Sequence, residues 1–226
     1  MVLFLSTFRR ELFSKKSIFI AIFFIASAYV AGNYSSSISG LIDSRGGSGL
    51  IDALFLVYTI LGYLFSSALY SGLIAGEVET QTMRFLTPYM SRYKIYLSKY
   101  FASTFYFIVL TVLSLIVLFI TKKAVAFPIY SLLFIVGFYL YIQALVMLIS
   151  SLAKSERLSS LLNLMFSILL PIFYTLSLLK NWIVLKAVQW LFPYHYVSKT
   201  WEIIFLYLLA AIFVFVGQYI FKRKEI

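Results

Sequence analysis

Six runs of about 20 mostly apolar residues, each bounded by charged or turn-forming residues, constrain this chain more than any other feature. A helix needs about that many residues to cross the hydrocarbon of a bilayer. The runs fall at Ser17 to Ile38, Ala53 to Ala75, Tyr100 to Thr121, Ile129 to Ser151, Leu158 to Leu179 and Ile203 to Phe221. The apolar core of the first ends near Val30 and is followed by the polar Asn33-Tyr34-Ser35-Ser36-Ser37 stretch. With 62% hydrophobic residues, far above the globular norm, most of the surface must be solvated by lipid. The expected fold is therefore all-α: one integral membrane domain over residues 1–226, with no soluble part large enough to hold an enzyme active site. The N-terminus has no small-residue cleavage site in a convincing place, so the first run reads as a retained anchor.

The chain has a formal charge of +11. In a soluble protein that would suggest nucleic acid, but here the basic residues sit between the apolar runs, where they set topology. Lys and Arg are retained on the cytoplasmic side of short loops. One side collects Arg9, Arg10, Lys15, Lys16, Arg84, Arg92, Lys94, Lys99, Lys154, Arg157, Lys222, Arg223 and Lys224, thirteen in all. The other holds the remaining six, Arg45, Lys122, Lys123, Lys180, Lys186 and Lys199. Both termini are then expected in the cytoplasm of a multi-pass plasma-membrane protein, with membrane lipid and no nucleic acid as partner. The loops Asn33 to Asp52 and Lys180 to Lys199 face outside.

Several chemistries are disfavoured. The chain has no cysteine and a single histidine, His195, so it has neither thiolate zinc sites and cysteine nucleophiles nor a multi-histidine metal site. A membrane-embedded protease or lipid transferase needs clustered His, Asp or Glu, and His195 has no carboxylate close in sequence. No charged residue falls within the hydrocarbon part of the six runs as drawn, which speaks against an ion-coupled secondary transporter. Gln143, Asn163, Gln218 and scattered Ser, Thr and Tyr read as interhelical hydrogen-bond partners. The segment Arg45-Gly46-Gly47-Ser48-Gly49 lacks the Gly-Lys-Ser/Thr ending of a phosphate loop, and Asn33-Tyr34-Ser35 is a glycosylation sequon only if the host glycosylates. Ala68, Gly72 and Gly76 make a small-xxx-small ladder for helix packing on the second run. Pro171 marks a kink in the fifth. Met1, Leu5, Phe8 and Leu12 recur at helical spacing, with Arg9, Arg10, Lys15 and Lys16 at other angles, so an amphipathic N-terminal helix along the cytoplasmic surface is expected.

The longest cytoplasmic loop, Gly76 to Lys99, is the most organised. Its acids, Glu77 and Glu79, come first and its bases last, which complements the dipole of a short helix beginning near Glu77. Val78, Thr82, Phe85 and Leu86 would share one face of it. This is more structure than a connector needs, and it suggests docking to a partner.

This loop resembles the first cytoplasmic loop of type-2 ABC exporter permeases. In that family the second span runs into an acidic residue, a short Gly/Thr-containing helix, a Leu-x-x-x-Pro-x-Ser-Arg segment and a lysine opening the third span. Glu77 and Glu79, Thr82, Arg84, Leu86, Ser91 with Arg92, and Lys99 follow in that order. Gln81-Thr82 stands in place of the common Gly-Thr pair, and Pro88 falls about a residue early. The aromatic, proline-bearing Phe192-Pro193-Tyr194-His195-Tyr196 before the last span extends the likeness. The resemblance implies a permease without enzymatic activity, paired with a second permease as homodimer or homologous heterodimer, for export of a peptide, antibiotic or lipid-like substrate. It implies no cofactor bound by this chain, ATP and Mg being held by separate ABC ATPase subunits. Glu77, Glu79, Thr82, Arg84, Leu86, Ser91 and Arg92 would then couple the partner to the helices through a short coupling helix.

Overall fold

The computed structural model describes residues 2–33, 49–121, 129–179, 183–197 and 201–224. The loop segments carrying the sequon serine and the glycine-rich Arg45 to Gly49 stretch lie largely outside them. Every regular element among the described residues is helical. In chain order these are α1 (Val2–Leu12), α2 (Lys15–Asn33), α3 (Gly49–Tyr70), α4 (Ala75–Glu79), α5 (Met83–Leu86), α6 (Arg92–Thr121), α7 (Ile129–Leu152), α8 (Glu156–Leu179), α9 (Ile183–Ala187) and α10 (Ile203–Arg223). Single 3₁₀ turns at Gln189–Leu191 and Pro193–Tyr196 connect the last two.

Among the described residues, six helices are long and apolar enough to cross a membrane: α2, the α3–α4 unit through Glu79, α6, α7, α8 and α10. They agree with the six runs within a few residues at most ends, with one correction. The third helix starts at Arg92, eight residues before Tyr100, so Lys99 is not the end of a loop but a buried helical residue. The 30 residues of α6 amount to about 45 Å at 1.5 Å per residue, as long as a bilayer with its headgroup regions.

Helix α7 is the hub, packed against α10, α3, α6 and α8; 67% of its apolar window is buried against 17% for α8. Its composition allows this, since apolar residues lie all round it and every face can be covered by protein as well as by lipid. Apolar burial discriminates little between protein and lipid, so packing and interhelical hydrogen bonds must hold the helices together. Buried and half-buried tyrosines supply many of those bonds. Tyr58 donates to Phe24 O at 2.8 Å, Tyr106 to Ser17 O at 2.6 Å, Tyr100 to Leu140 O at 3.0 Å and Tyr207 to Leu133 O at 2.7 Å. A helical carbonyl has a second lone pair, so each bond ties two helices without breaking either ladder. Gly217 brings α10 against α6: a side-chain carbon there would fall on the buried Tyr96 ring.

Helix α1 lies against α6. Phe8 and Leu12 reach the core, Phe8 meets Phe105 with ring centres 5.3 Å apart, and Arg9 and Arg10 stay exposed. At the opposite end of the bundle the Pro193–Tyr196 turn tucks inward. Tyr194 packs against Phe138 and Tyr174, and Tyr196 Oη donates to Trp190 O at 2.5 Å. Helix α8 runs through Pro171 without ending.

Candidate functional site

Residues 71–74 interrupt the second span between α3 and α4. The ladder tightens there, with Leu73 N–H bonded to Tyr70 O at 3.1 Å, a three-residue turn. Backbone groups that a continuous helix would bond internally instead find partners on three neighbouring helices. Ile74 and Ala75 N–H both donate to Ser150 Oγ of α7, at 3.2 and 3.0 Å. The Leu73 carbonyl accepts from Lys99 Nζ of α6 at 3.1 Å, and the Ser71 carbonyl from the Ser159 hydroxyl of α8. Non-helical backbone inside a bundle is tolerated only where side chains satisfy it in this way.

Just beyond the break, Glu77 meets Lys99. Glu77 Oε2 lies 2.5 Å from Lys99 Nζ, and Arg10 Nη2 of α1 stands 3.9 Å from Oε1. The Lys99 side chain is 2% exposed, Glu77 19% and Arg10 63%. A lysine so buried keeps its charge only with a carboxylate and hydrogen-bond acceptors around it; Glu77 and the Leu73 carbonyl provide both. Two residues on, Glu79 Oε2 accepts the Glu156 N–H at 2.7 Å. It thereby caps the start of α8, where a carboxylate also opposes the positive end of the helix dipole. Ser155 caps the same helix from within its own chain segment, accepting the Leu158 N–H at 3.3 Å.

The expected coupling residues therefore divide into two sets. Glu77 is engaged inside the bundle, and Glu79, though exposed, is bonded to the start of α8. Arg92 is engaged too, donating from Nη1 to Lys222 O at 2.9 Å and Lys224 O at 2.7 Å, which fastens α6 to the end of α10. Lys224 Nζ in turn donates to Ser151 O and Ala153 O at 3.0 and 2.5 Å, and burial pushes its ammonium below the usual lysine range. Thr82, Arg84 and Ser91 stay exposed. Leu86 closes α5. The single short helix expected from Glu77 is resolved into α4 and α5, because Gln81 takes a left-handed φ of 58° between them. Val78 turns to the core while Phe85 does not, so the expected shared face is divided.

Gly72 and Gly76 of the small-residue ladder face the Glu156 side chain, which occupies the space a side-chain carbon at either position would need. Ala68 is exposed. At the other end of the bundle, His195 has a carboxylate after all: Glu202 Oε2 lies 3.7 Å from its Nε2. Burial, and secondarily Glu202, pushes the Tyr196 phenol up. No group of three metal-ligating side chains forms among the described residues. Sequence reasoning missed Arg10, Ser150, Glu156 and Ser159 as partners of the break. Serines inside apolar helices have no pattern that names their partners, whereas an acid after one span and a lysine before the next was a readable signal.

Neither the family models searched nor the curated proteins searched give a match to this chain.

Proposed function

We propose that this chain is the permease subunit of an ATP-driven exporter of the type-2 ABC class, in the plasma membrane with both termini cytoplasmic. It works with a second permease and separate ATPase subunits, and residues 80–91 are the surface the ATPase grips. The observation that carries this reading is the way the segment is mounted. Its inner side is fixed: Met83 is fully buried and Met90 packs on the core, as does Val78 just before the segment; on the exposed side the Thr80 and Thr82 hydroxyls bond to each other at 2.7 Å. Its outer side presents Phe85 at 76% and Tyr89 at 88% exposure beside the exposed Arg84. Exposed aromatics with an arginine are the residue types that anchor protein interfaces. A push on this segment reaches α6 through Glu77–Lys99, α7 through Ser150 and α8 through Glu79.

A second reading, an ion-coupled carrier, is favoured by the buried Glu77–Lys99 pair beside a broken span, since intramembrane charges at discontinuous helices commonly mark ion paths. Depth weighs against it. Lys99 is seven residues from the start of α6, about 10 Å along a helix about 45 Å long, so it sits near the edge of the hydrocarbon rather than at the midplane. Reconstituted vesicles separate the two. Transport is expected with the ATPase subunits and ATP, and none from an imposed proton or sodium gradient alone. Gradient-driven transport by the isolated chain would establish the carrier reading instead.

A further inference from the structure

On the flank of the bundle away from the broken span, α6 and α10 diverge to leave a groove of about 360 Å³ facing outward, closed at its back by Leu140 of α7. It follows Tyr93 to Phe101 on one helix and Ala210 to Gln218 on the other, about 12 Å at 1.5 Å per residue. Its walls are apolar and aromatic. Phe101 and Phe215 are 50% and 70% exposed, while the Tyr100 and Tyr207 hydroxyls are spent on the Leu140 and Leu133 carbonyls, so these rings turn hydrocarbon rather than hydroxyl to the space.

One end of this groove is basic. On α10, Ala211, Phe215, Gln218 and Lys222 recur at helical spacing, so Lys222 continues the groove-facing stripe past its last lining residue. On α6, Lys94 stands three and seven residues before the lining residues Leu97 and Phe101, on the same face. Both lysines are exposed. Arg223 is held nearby, its guanidinium 4.3 Å from the centre of the Tyr219 ring. An apolar slot a few turns long that ends in cations at one membrane face is complementary to a molecule with an alkyl chain and a negative head.

We infer that the α6–α10 groove binds an anionic phospholipid, its acyl chain along Leu97, Phe101, Ala211 and Phe215 and its phosphate between Lys94 and Lys222. The inference rests on the helices spanning a membrane but not on any ATPase partner, so its failure would leave the exporter reading standing, and the reverse.

The test is native mass spectrometry of the purified full chain with equal amounts of a phosphatidylglycerol and a phosphatidylcholine of identical acyl chains. A basic residue at an anionic membrane surface is worth about a factor of five and a half in binding, so the pair should give about thirtyfold. The wild type is expected to retain phosphatidylglycerol preferentially. Lys94→Gln/Lys222→Gln should lose about that thirtyfold preference, while Lys186→Gln at the other end keeps it. Ala211→Phe, which fills the slot at an exposed position, should lower retention of both lipids. Equal retention of the two lipids by the wild type, or an unchanged preference in the double lysine variant, would overturn the assignment. So would a wild-type dimer that Ala211→Phe dissociates, because the groove would then belong to a second copy. Both lysines are exposed, so the double variant is decisive even if Ala211→Phe fails to fold.

Discussion

At the scale of single residues the molecule turns on Lys99. Its ammonium has two distinct tasks, neutralising Glu77 and satisfying the Leu73 carbonyl at the break. Removing one member of a buried pair strands the other charge, at roughly 3–5 kcal/mol, whereas replacing both by apolar groups is often nearly neutral. Lys99→Met is therefore expected to lower the apparent melting temperature in detergent sharply, and Glu77→Leu/Lys99→Met to recover most of the loss. The remaining deficit is about 1 kcal/mol for the Leu73 carbonyl. A single variant as stable as wild type would show that the pair contributes nothing. The same geometry changes how charge reversals must be read. Glu77→Lys opposes the buried Lys99 and the exposed Arg10 at once, so its defect would be one of folding, not of docking; Arg84 is the loop charge whose reversal tests for the proposed partner. The sequence held half of this: an acid closing one apolar run and a lysine opening the next were visible, but not that they face each other. Nothing in the sequence distinguishes Ser150 and Ser159, which satisfy the break, from Ser103 and Ser114, which bond within their own helix.

At the scale of elements, length and apolarity located the six long helices because a span has little choice: about 20 apolar residues form helix or leave backbone groups unbonded. Ends were less legible. Residues 92–99 read as loop because Arg92, Lys94 and Lys99 are charged, yet α6 includes them: Arg92 donates to carbonyls at the end of α10, Lys99 meets Glu77, and Lys94 stays exposed. The break at 71–74 was invisible because Ser71, Gly72, Leu73 and Ile74 are unremarkable within a membrane helix, and only three neighbouring side chains make leaving the α-helical pattern affordable. Orientation is an element-level expectation with a direct check, aided by the absence of native cysteine. An impermeant thiol reagent on intact cells should reach Lys186→Cys in α9, and reach Ser91→Cys before α6 only after permeabilisation. The opposite pattern would place residues 80–91 outside the cell, away from any ATPase.

For the whole molecule, a six-span bundle around α7 carries an outward-facing segment, residues 80–91, that follows a short stretch attached to α6, α7 and α8. The Gly76 to Lys99 loop stood out in the sequence by its ordering of acids and bases; its division into an engaged set and an exposed set was not legible, since exposure depends on which helix ends meet in three dimensions. The exposed set carries the claim. Co-expression with the ATPase subunit and purification through a tag on this chain measures it most directly. Wild type and Lys186→Glu should bring the ATPase down at equal yield. Arg84→Glu/Phe85→Ser should bring down at least about tenfold less, as expected when truncating interface anchors costs 1–2 kcal/mol each, while eluting as a monodisperse protein with unchanged melting temperature. Wild-type recovery of the ATPase by that variant would contradict the assignment of residues 80–91 as the coupling surface.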